Sequence, residues 1–194
     1  MGFGDNKDEL FANDIAAAEK ALELDENNFD TQWIMCELHL MRDRLDEAEI
    51  HHEQAFSLNP NDPRIVAQRG ELMTWLGRPE EGADWVRQSM RLDPFEANSR
   101  AHLLGRALFM AQQYEDAIDA YGKIRSPRFG HHAEIAACHA LRGSQEDAKR
   151  HADEALRLNP NLNIADFLKG KPFRNPKHRE YYKDGLRKAG LPEN

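Results

Sequence analysis

Histidine is the residue of this 194-residue chain best suited to metal binding, and it occurs nine times. His51 and His52 are neighbours whose side chains point about 100° apart on a helix. His132 and His139 share a helix face but lie about 10.5 Å apart along the axis, too far to hold one metal ion unaided. We expect His39 to approach His52 from a paired helix. No Cys-x-x-Cys or His-Glu-x-x-His pattern occurs, so the sequence predicts neither a metal site nor a cofactor.

Two cysteines are the candidates for a nucleophile. Cys36 takes a position at which small residues recur, which is typical of a packed apolar side chain. Cys138 has no evident partner that would lower the pKa of its thiol. The chain also lacks the Gly-x-Ser-x-Gly and Walker motifs, and it has no Gly-x-Gly-x-x-Gly after a strand. We predict that the chain is not an enzyme; a small enzyme that uses a concave surface is the remote alternative.

The charge balance of the chain is acidic: 34 Asp and Glu residues against 26 Lys and Arg give a formal net charge of −8. This balance argues against a general nucleic-acid-binding protein, which needs a basic surface. No apolar stretch approaches the roughly 18 residues of a membrane-spanning helix. Two cysteines are too few for a disulfide framework and fit a reducing compartment. The sequence thus predicts a cytoplasmic protein with no membrane span and no nucleic-acid partner.

One short pattern recurs along the chain and indicates which elements position these residues. Residues 55–60, 89–94 and 155–160 read Ala-Phe-Ser-Leu-Asn-Pro, Ser-Met-Arg-Leu-Asp-Pro and Ala-Leu-Arg-Leu-Asn-Pro. The first two copies lie 34 residues apart, and the same step back from Ala55 reaches a partial copy at Ala21. A period of this length is typical of stacked helix–turn–helix units.

The residues inside each period resemble those of the tetratricopeptide repeat (TPR) family. Leu104-Gly105, followed by Ala117 and Tyr121, matches the family pattern best. Small residues mark the points where the two helices of one unit pack closely. The resemblance implies an all-α fold, a TPR-type α-solenoid in which antiparallel helix pairs stack into a superhelix.

The period divides the chain into a leading half-repeat helix (1–28), four TPR helix pairs (29–161) and C-terminal capping helices (162–194). Gly77 and Gly143 fit the turns inside two of the pairs. The leading helix lacks the first half of its repeat, which favours the C-terminal part of a longer protein; the alternative is a lone helix that caps its own array. The predicted helices of the array span residues 8–24, 30–42, 45–58, 63–76, 79–92, 96–111, 114–124, 129–141 and 145–158.

The C-terminal segment carries a second resemblance. Residues 172–176 (Pro-Phe-Arg-Asn-Pro) and 184–193 (Asp-Gly-Leu-Arg-Lys-Ala-Gly-Leu-Pro-Glu) are similar to the end of proteobacterial class III adenylate/guanylate cyclases. In those proteins a repeat array follows the catalytic domain, so the resemblance implies a regulatory or assembly region and carries over no cyclase chemistry. We expect the segment to cap the last repeat and to bury Phe173, Tyr181 and Leu186.

The first helix of each pair lines the concave side of such an array. Helical spacing places large apolar side chains there, together with carboxylates and a guanidinium. A stripe of this kind favours a groove for a helix or peptide; the alternative is that inter-repeat packing or the chain's own N-terminal region covers it. The carboxylates disfavour an acidic chaperone-tail ligand. The predicted groove residues are Trp33, Glu37, Leu40, Met41, Glu71, Trp75, His102, Arg106, Phe109 and Met110.

Together these patterns predict a module that binds a protein or peptide partner. The cyclase resemblance implies a non-catalytic region of a bacterial signalling protein. A free-standing TPR scaffold or co-chaperone-like adaptor with no cyclase link is the alternative. Two copies that pair through the uncovered face of the half-repeat would form a homodimer, and the sequence leaves this open.

Overall fold

A computed structural model describes the backbone of residues 3–194 and the side chains of residues 13–194. Every regular element in this part of the chain is a helix, which confirms the all-α prediction. The closest helix pairs are α2–α3, α4–α5, α6–α7 and α8–α9. The helices are α1 (Phe3–Leu24), α2 (Phe29–Leu40), α3 (Leu45–Leu58), α4 (Pro63–Trp75), α5 (Pro79–Leu92), α6 (Ala101–Met110), α7 (Tyr114–Tyr121), α8 (Phe129–Leu141), α9 (Gln145–Leu158), α10 (Ile164–Leu168) and α11 (Pro176–Lys188), with a 3₁₀ turn at Ala97–Arg100.

Short polar side chains begin several of these helices. The Asn28 side chain accepts a hydrogen bond from the Thr31 backbone N–H at 2.9 Å, which caps α2. At the start of α4, Asp62 accepts from the Arg64 N–H at 2.8 Å. Such caps satisfy backbone donors that have no partner inside the helix. Because an Asn or Asp precedes each of these periodic segments, helix starts are readable from the sequence.

Small residues let the two helices of a pair approach to backbone contact. A Cβ atom added at Gly70 would lie 2.5 Å from Val86 Cγ2 and 2.7 Å from the Gly82 carbonyl oxygen. A Cβ at Gly105 would lie 2.7 Å from the Tyr121 ring. These distances are far inside van der Waals contact, so α4–α5 and α6–α7 pack in this register only with glycine at the crossing.

The turn inside each pair places one residue in the left-handed region. Gly77 and Gly143 have φ angles of +91° and +90°, as the sequence predicts. The other two pairs use Asp43 (φ 58°) and Gln112 (φ 61°) at the equivalent position. Asp accepts this conformation more readily than most side chains, whereas Gln carries strain there.

The third pair departs from the predicted bounds. α6 begins at Ala101 instead of residue 96, after the 3₁₀ turn, and α7 ends at Tyr121 instead of residue 124. The Asp93 side chain accepts from the Glu96 N–H, and the Ser99 hydroxyl donates to the Glu96 carbonyl oxygen at 2.6 Å. These local bonds compete with helical ones and delay the start of α6.

The C-terminal segment folds back onto the array. α11 packs against α8, where Tyr182 and Leu186 are fully buried. A Cβ atom at Gly185 would lie 3.2 Å from Ala137 Cβ, so this glycine permits the close approach. Tyr182, and not Tyr181, takes the fully buried position, while Phe173 is half-buried. Within the described residues, no helix is both long enough and apolar enough to cross a membrane.

Candidate functional site

The first helices of the four pairs form one continuous wall, because α2 contacts α4, α4 contacts α6 and α6 contacts α8. The predicted groove residues lie along this wall in different environments. Met41 is 51% exposed. The half-buried residues are Trp33, Glu37, Glu71, His102 and Arg106. The buried residues are Leu40, Trp75, Phe109 and Met110.

The buried part of the wall is covered by the chain's own C-terminal segment. The Phe173 ring packs edge-on against Trp75, with centroids 5.0 Å apart. Tyr182 packs edge-on against Phe109 at 4.9 Å, and the Tyr181 hydroxyl donates to the Phe109 carbonyl oxygen at 3.1 Å. The C-terminal segment, a cover not weighed from the sequence, therefore shields Trp75 and Phe109, whereas packing within the first two pairs buries Leu40.

A buried polar network lies beneath this cover. Arg106 donates to Glu71 (Nη1–Oε1 2.9 Å) and to Glu134 (Nε–Oε1 3.3 Å). Glu134 also accepts hydrogen bonds from the hydroxyls of Tyr121, at 2.8 Å, and of Tyr182. The network joins α4, α6, α7, α8 and α11 through one carboxylate.

Electrostatics keep this carboxylate ionised although it is only 2% exposed. Burial by itself raises the pKa of Glu134, but Arg106, Lys171 and the two tyrosine hydroxyls outweigh it and lower the pKa to about 2. Burial also lowers the pKa of Arg106, and the charges of Glu134 and Glu71 more than compensate, so its pKa is raised. The network is thus a charged, hydrogen-bonded unit at neutral pH.

Lys171 extends the network toward the surface. Its ammonium lies 4.5 Å from the Phe167 ring centroid and 5.9 Å from that of Trp75, within reach of cation–π attraction. Burial and the nearby Arg106 lower the pKa of Lys171 to about 8, against the opposing effect of Glu134. Lys169, Lys177 and Lys188 are exposed, so Lys171 is the exception to the snorkelling lysines expected for this tail.

Arg174 connects the C-terminal segment to the first helix pair. Its backbone N–H donates to the Trp75 carbonyl oxygen at 3.0 Å. Its guanidinium lies 2.6 Å from an Asp46 carboxylate oxygen, at the start of α3. The C-terminal segment therefore contacts all four pairs, whereas the sequence predicted a cap on the last repeat.

The open part of the wall is on α2. Trp33 and Met41 are accessible there, and the Arg64 guanidinium lies 5.3 Å from the Trp33 ring centroid. Burial raises the pKa of Glu37, and the neighbouring carboxylate of Glu71 raises it further. This end of the wall offers an indole face beside a carboxylate.

The structure brings only some of the predicted groove residues together. Glu71, Trp75 and Arg106 form one contact group, since the Arg106 guanidinium also lies 5.2 Å from the Trp75 ring centroid. Leu40 packs instead inside the first pairs with Leu45 and other core residues. His102 interacts electrostatically with Arg106 and Glu71, but its Nδ1 lies 2.9 Å from the Ser99 carbonyl oxygen instead of bonding to them.

The sequence missed the residues that hold the network together: Glu134, Tyr121, Tyr182 and Lys171. One signal was available for Glu134, which is the only charged residue in the apolar run of residues 133–138. A lone carboxylate in such a run is buried when the helix is buried all round, and it then needs partners. Those partners come from distant parts of the chain, so their identity was not readable.

The histidines form stacked pairs between helices. His39 stacks on His51, with ring centroids 5.2 Å apart, whereas the sequence led us to expect His39 near His52. His151 stacks between His132 and His139, at 5.3 and 5.5 Å. Among the side chains of residues 13–194, no group of three or more His, Cys, Asp or Glu is arranged to hold a metal ion.

Both cysteines are free and fully buried. Burial raises the pKa of the Cys36 thiol well above its ordinary value, and Glu37 adds to the shift. Burial likewise raises the pKa of Cys138, with a contribution from Glu134. Protonated, inaccessible thiols are poor nucleophiles.

Comparison with known sequences gives a short match. No protein-family model matches the chain. The small glutamine-rich tetratricopeptide repeat-containing protein 2 of Mycosarcoma maydis is 31% identical over 70 residues, which are 36% of this chain and 20% of that protein. The match thus spans a small share of that relative's length.

Solved structures are similar over most of the chain. PilW, a type IV pilus biogenesis factor, has a TM-score of 0.72 at 20% identity, over 93% of this chain and 86% of PilW. YrrB, a TPR protein with an unusual peptide-binding site, has a TM-score of 0.57 at 16% identity, over 80% of this chain and 81% of YrrB. At these identities the likeness concerns the fold. The chain therefore has the fold of a tetratricopeptide-repeat α-solenoid.

Proposed function

We propose that this chain is a non-catalytic protein-interaction module whose concave wall binds polypeptide segments. The observation that carries the proposal is that the wall already contacts one such segment, residues 171–182 of the chain itself. That segment is held by aromatic packing on Trp75 and Phe109, by the ion pair of Arg174 and by a backbone hydrogen bond. The peptide-binding site named for the structural neighbour YrrB supports the same reading.

We assign partner contact to the open end of the wall on α2. Trp33, Glu37 and Met41 are the predicted groove residues that the C-terminal segment leaves accessible. A partner segment with an aromatic or basic side chain fits there, since an indole face and a carboxylate are the groups on offer. The remaining predicted groove residues then act by fixing the shape of the wall.

Site-specific photo-crosslinking tests this assignment. A photoreactive residue replaces Met41 in one variant and Leu92 in a matched control; Leu92 is 41% exposed at the end of α5. We expect the variant with the photoreactive residue at position 41 to form a discrete adduct in source cells. The variant with this residue at position 92 should not form the adduct. Adding Trp33→Ala to the first variant should abolish it. The same adducts at both positions, or none at position 41, would overturn it.

The finer assignment, a regulatory or assembly region of a bacterial signalling protein, rests on the C-terminal segment. The residues that resemble the cyclase tail do structural work here: Phe173 packs on Trp75, and the Pro192 carbonyl oxygen accepts from the Ile164 N–H at 2.8 Å. In this chain the segment is therefore packed as part of the array. An in-frame cyclase domain in the same gene supports the signalling role, and its absence favours the free-standing scaffold.

Homodimer formation remains a proposal. Apolar side chains of α1 and α2, among them Ala17, Ala21, Ile34 and Leu38, surround a surface depression of about 410 Å³. Two copies that pair there would cover it. Light scattering should then give twice the mass of one chain. Ile34→Asp should reduce the measured mass to that of a single chain. Ile50→Asp, at an exposed position of α3, is the control and should leave the dimer intact. A single chain mass for the unmodified protein would contradict the dimer.

We also propose that the chain has no enzymatic activity and that it is located in the cytoplasm. The absence of enzymatic activity is supported by the two buried, protonated cysteines. Cyclic-nucleotide production by the purified chain would contradict it. The cytoplasmic location is supported by the two free thiols, and fractionation of source cells tests it.

A further inference from the structure

A cleft lies where the third and fourth helix pairs meet, away from the open end of the wall on α2. The connection from α5 to α6 and the connection from α7 to α8 enclose a cleft of about 560 Å³. This volume lies in the range of ligand-binding sites. The lining residues are Phe95, Glu96, Asn98, Ser99, His102, Ile124, Arg125, Ser126, Arg128 and His131.

Departures from the repeat create this cleft. The connection from α5 to α6 contains Phe95 and a 3₁₀ turn, whereas the connection from α3 to α4 has only residues 59–62. On the other side, α7 stops early, and Arg125 and Arg128 stand in the connection that follows. A smaller depression of about 300 Å³ lies between the start of α8 and the connection from α9 to α10, and none of the described arginines lines it.

Phe95 gives the cleft an apolar rim. Its side chain is 97% exposed, the highest exposure among the large hydrophobic residues that the structure describes. Ile124 lies across the cleft and is half-buried. An exposed phenyl ring gains free energy when an apolar side chain covers it.

The charge at the rim is basic although the whole chain is acidic. Neither Arg125 nor Arg128 forms an ion pair with a carboxylate among the described side chains, and both are exposed. Glu96 is the one carboxylate among the lining residues. Two guanidiniums without carboxylate partners attract an anionic group, and arginine binds carboxylates through a planar pair of donors.

Two neutral histidines provide polar groups at the base. Burial lowers the pKa of His102, with a further lowering by Arg106, against opposing effects of Glu71, Glu134 and the bond to Ser99. Burial also lowers the pKa of His131, where Glu134 opposes and Arg106, Arg128 and His102 assist. His131 Nδ1 accepts from the Arg128 backbone N–H at 3.1 Å, so the neutral ring carries its proton on Nε2 as a donor.

We propose that this cleft binds an acidic polypeptide segment, which places an apolar side chain on Phe95 and Ile124 and a carboxylate beside Arg125 and Arg128. The site goes beyond the concave wall, because it selects the opposite charge. The segment that covers the wall is basic and pairs with Asp46 through Arg174, whereas the cleft offers arginines. One array thus presents two binding surfaces of complementary preference.

Fluorescence anisotropy with the full chain tests the proposal. The probe is a fluorescein-labelled peptide of about eight residues, rich in Asp and Glu, with one central Phe. We expect Arg125→Glu with Arg128→Glu to weaken binding at least tenfold, and Phe95→Ser roughly fivefold. Arg91→Glu and Leu92→Ser, at exposed positions of α5 outside the cleft, are the matched controls and should bind as the unmodified chain does.

Each alternative outcome is informative. The far-ultraviolet circular dichroism of the cleft variants and of the α5 controls should equal that of the unmodified chain, since the side chains substituted in them are exposed. Equal loss in the Arg91 control, or equal binding of a peptide without the Phe, would show general attraction of anions and overturn the proposal. Inorganic phosphate that displaces the probe completely at a concentration equal to that of the peptide would overturn it too. Trp33→Ala should leave this binding unchanged, which separates the cleft from the groove.

Discussion

Arg106 joins the carboxylates of Glu71 and Glu134, its guanidinium nitrogens lying 2.9 and 3.3 Å from them. Glu134 is buried and belongs to a different pair from Glu71, so one side chain ties the second, third and fourth pairs together. The Glu134 carboxylate also accepts hydrogen bonds from the hydroxyls of Tyr121 and Tyr182. The wall and its C-terminal cover therefore share a single polar anchor.

Removing the guanidinium should destabilise the chain strongly. Arg106→Met keeps the length of the side chain but removes the main positive charge beside the buried Glu134, and breaking a buried pair in this way costs about 3–5 kcal/mol. Urea unfolding followed by circular dichroism measures the loss. Lys149→Met breaks the exposed pair with Asp153 and should cost no more than about 1 kcal/mol. Equal losses in the two variants would contradict the role of the network.

Loss of the Phe173 ring should loosen the C-terminal segment from the wall. Phe173→Ala removes the edge-on contact with Trp75, and we expect a loss of about 2 kcal/mol, below that of a fully buried Phe. The tryptophan emission should shift to longer wavelength as water reaches Trp75. Phe95→Ala, at a 97% exposed ring, should change stability by less than about 0.5 kcal/mol. An unchanged emission would show that the segment does not shield the indole.

A methyl group at the α6–α7 crossing should be poorly tolerated. Gly105→Ala would place Cβ 2.7 Å from the Tyr121 ring, and we expect a loss of about 1–3 kcal/mol from overpacking. Gly122→Ala is the control, because its Cβ would meet nothing closer than 3.4 Å. Thermal unfolding of the two variants gives the comparison, and a Gly105 variant as stable as the control would contradict this packing.

Acid should destabilise the fold through its buried histidines. Burial lowers the pKa of His52 to about 4, and its ring packs near Gln68. The unfolded chain therefore takes up this proton first, so stability is full above pH 6.5 and falls as the pH drops toward 4. Between pH 7 and 5 the site contributes a loss of about 2 kcal/mol.

His52→Gln tests this linkage. The difference in the free energy of unfolding between pH 7 and pH 5 should shrink by that amount in the variant, whatever its stability at pH 7. Urea titrations at the two pH values measure it. An unchanged difference would mean that His52 does not drive the acid response.

The sequence by itself determined the elements of this protein. The recurring Leu-Asn/Asp-Pro pattern and the small residues at the crossings predicted α3, α5, α8 and α9 with the bounds that the structure has. These features act within one repeat, over a few residues or across one turn. Their effects depend only on residues close in the chain, so they can be predicted without knowledge of the fold.

Only the tertiary structure decided what covers the concave wall. Phe173 and Trp75 are almost a hundred residues apart in the chain, and no local pattern pairs them. The packing of α11 against α8 likewise followed only from the path of the whole chain. The same holds for Glu134, whose burial was foreseeable and whose partners were not. Contacts of this kind depend on superhelical curvature, which is the sum of all the pair geometries and not a property of any one segment.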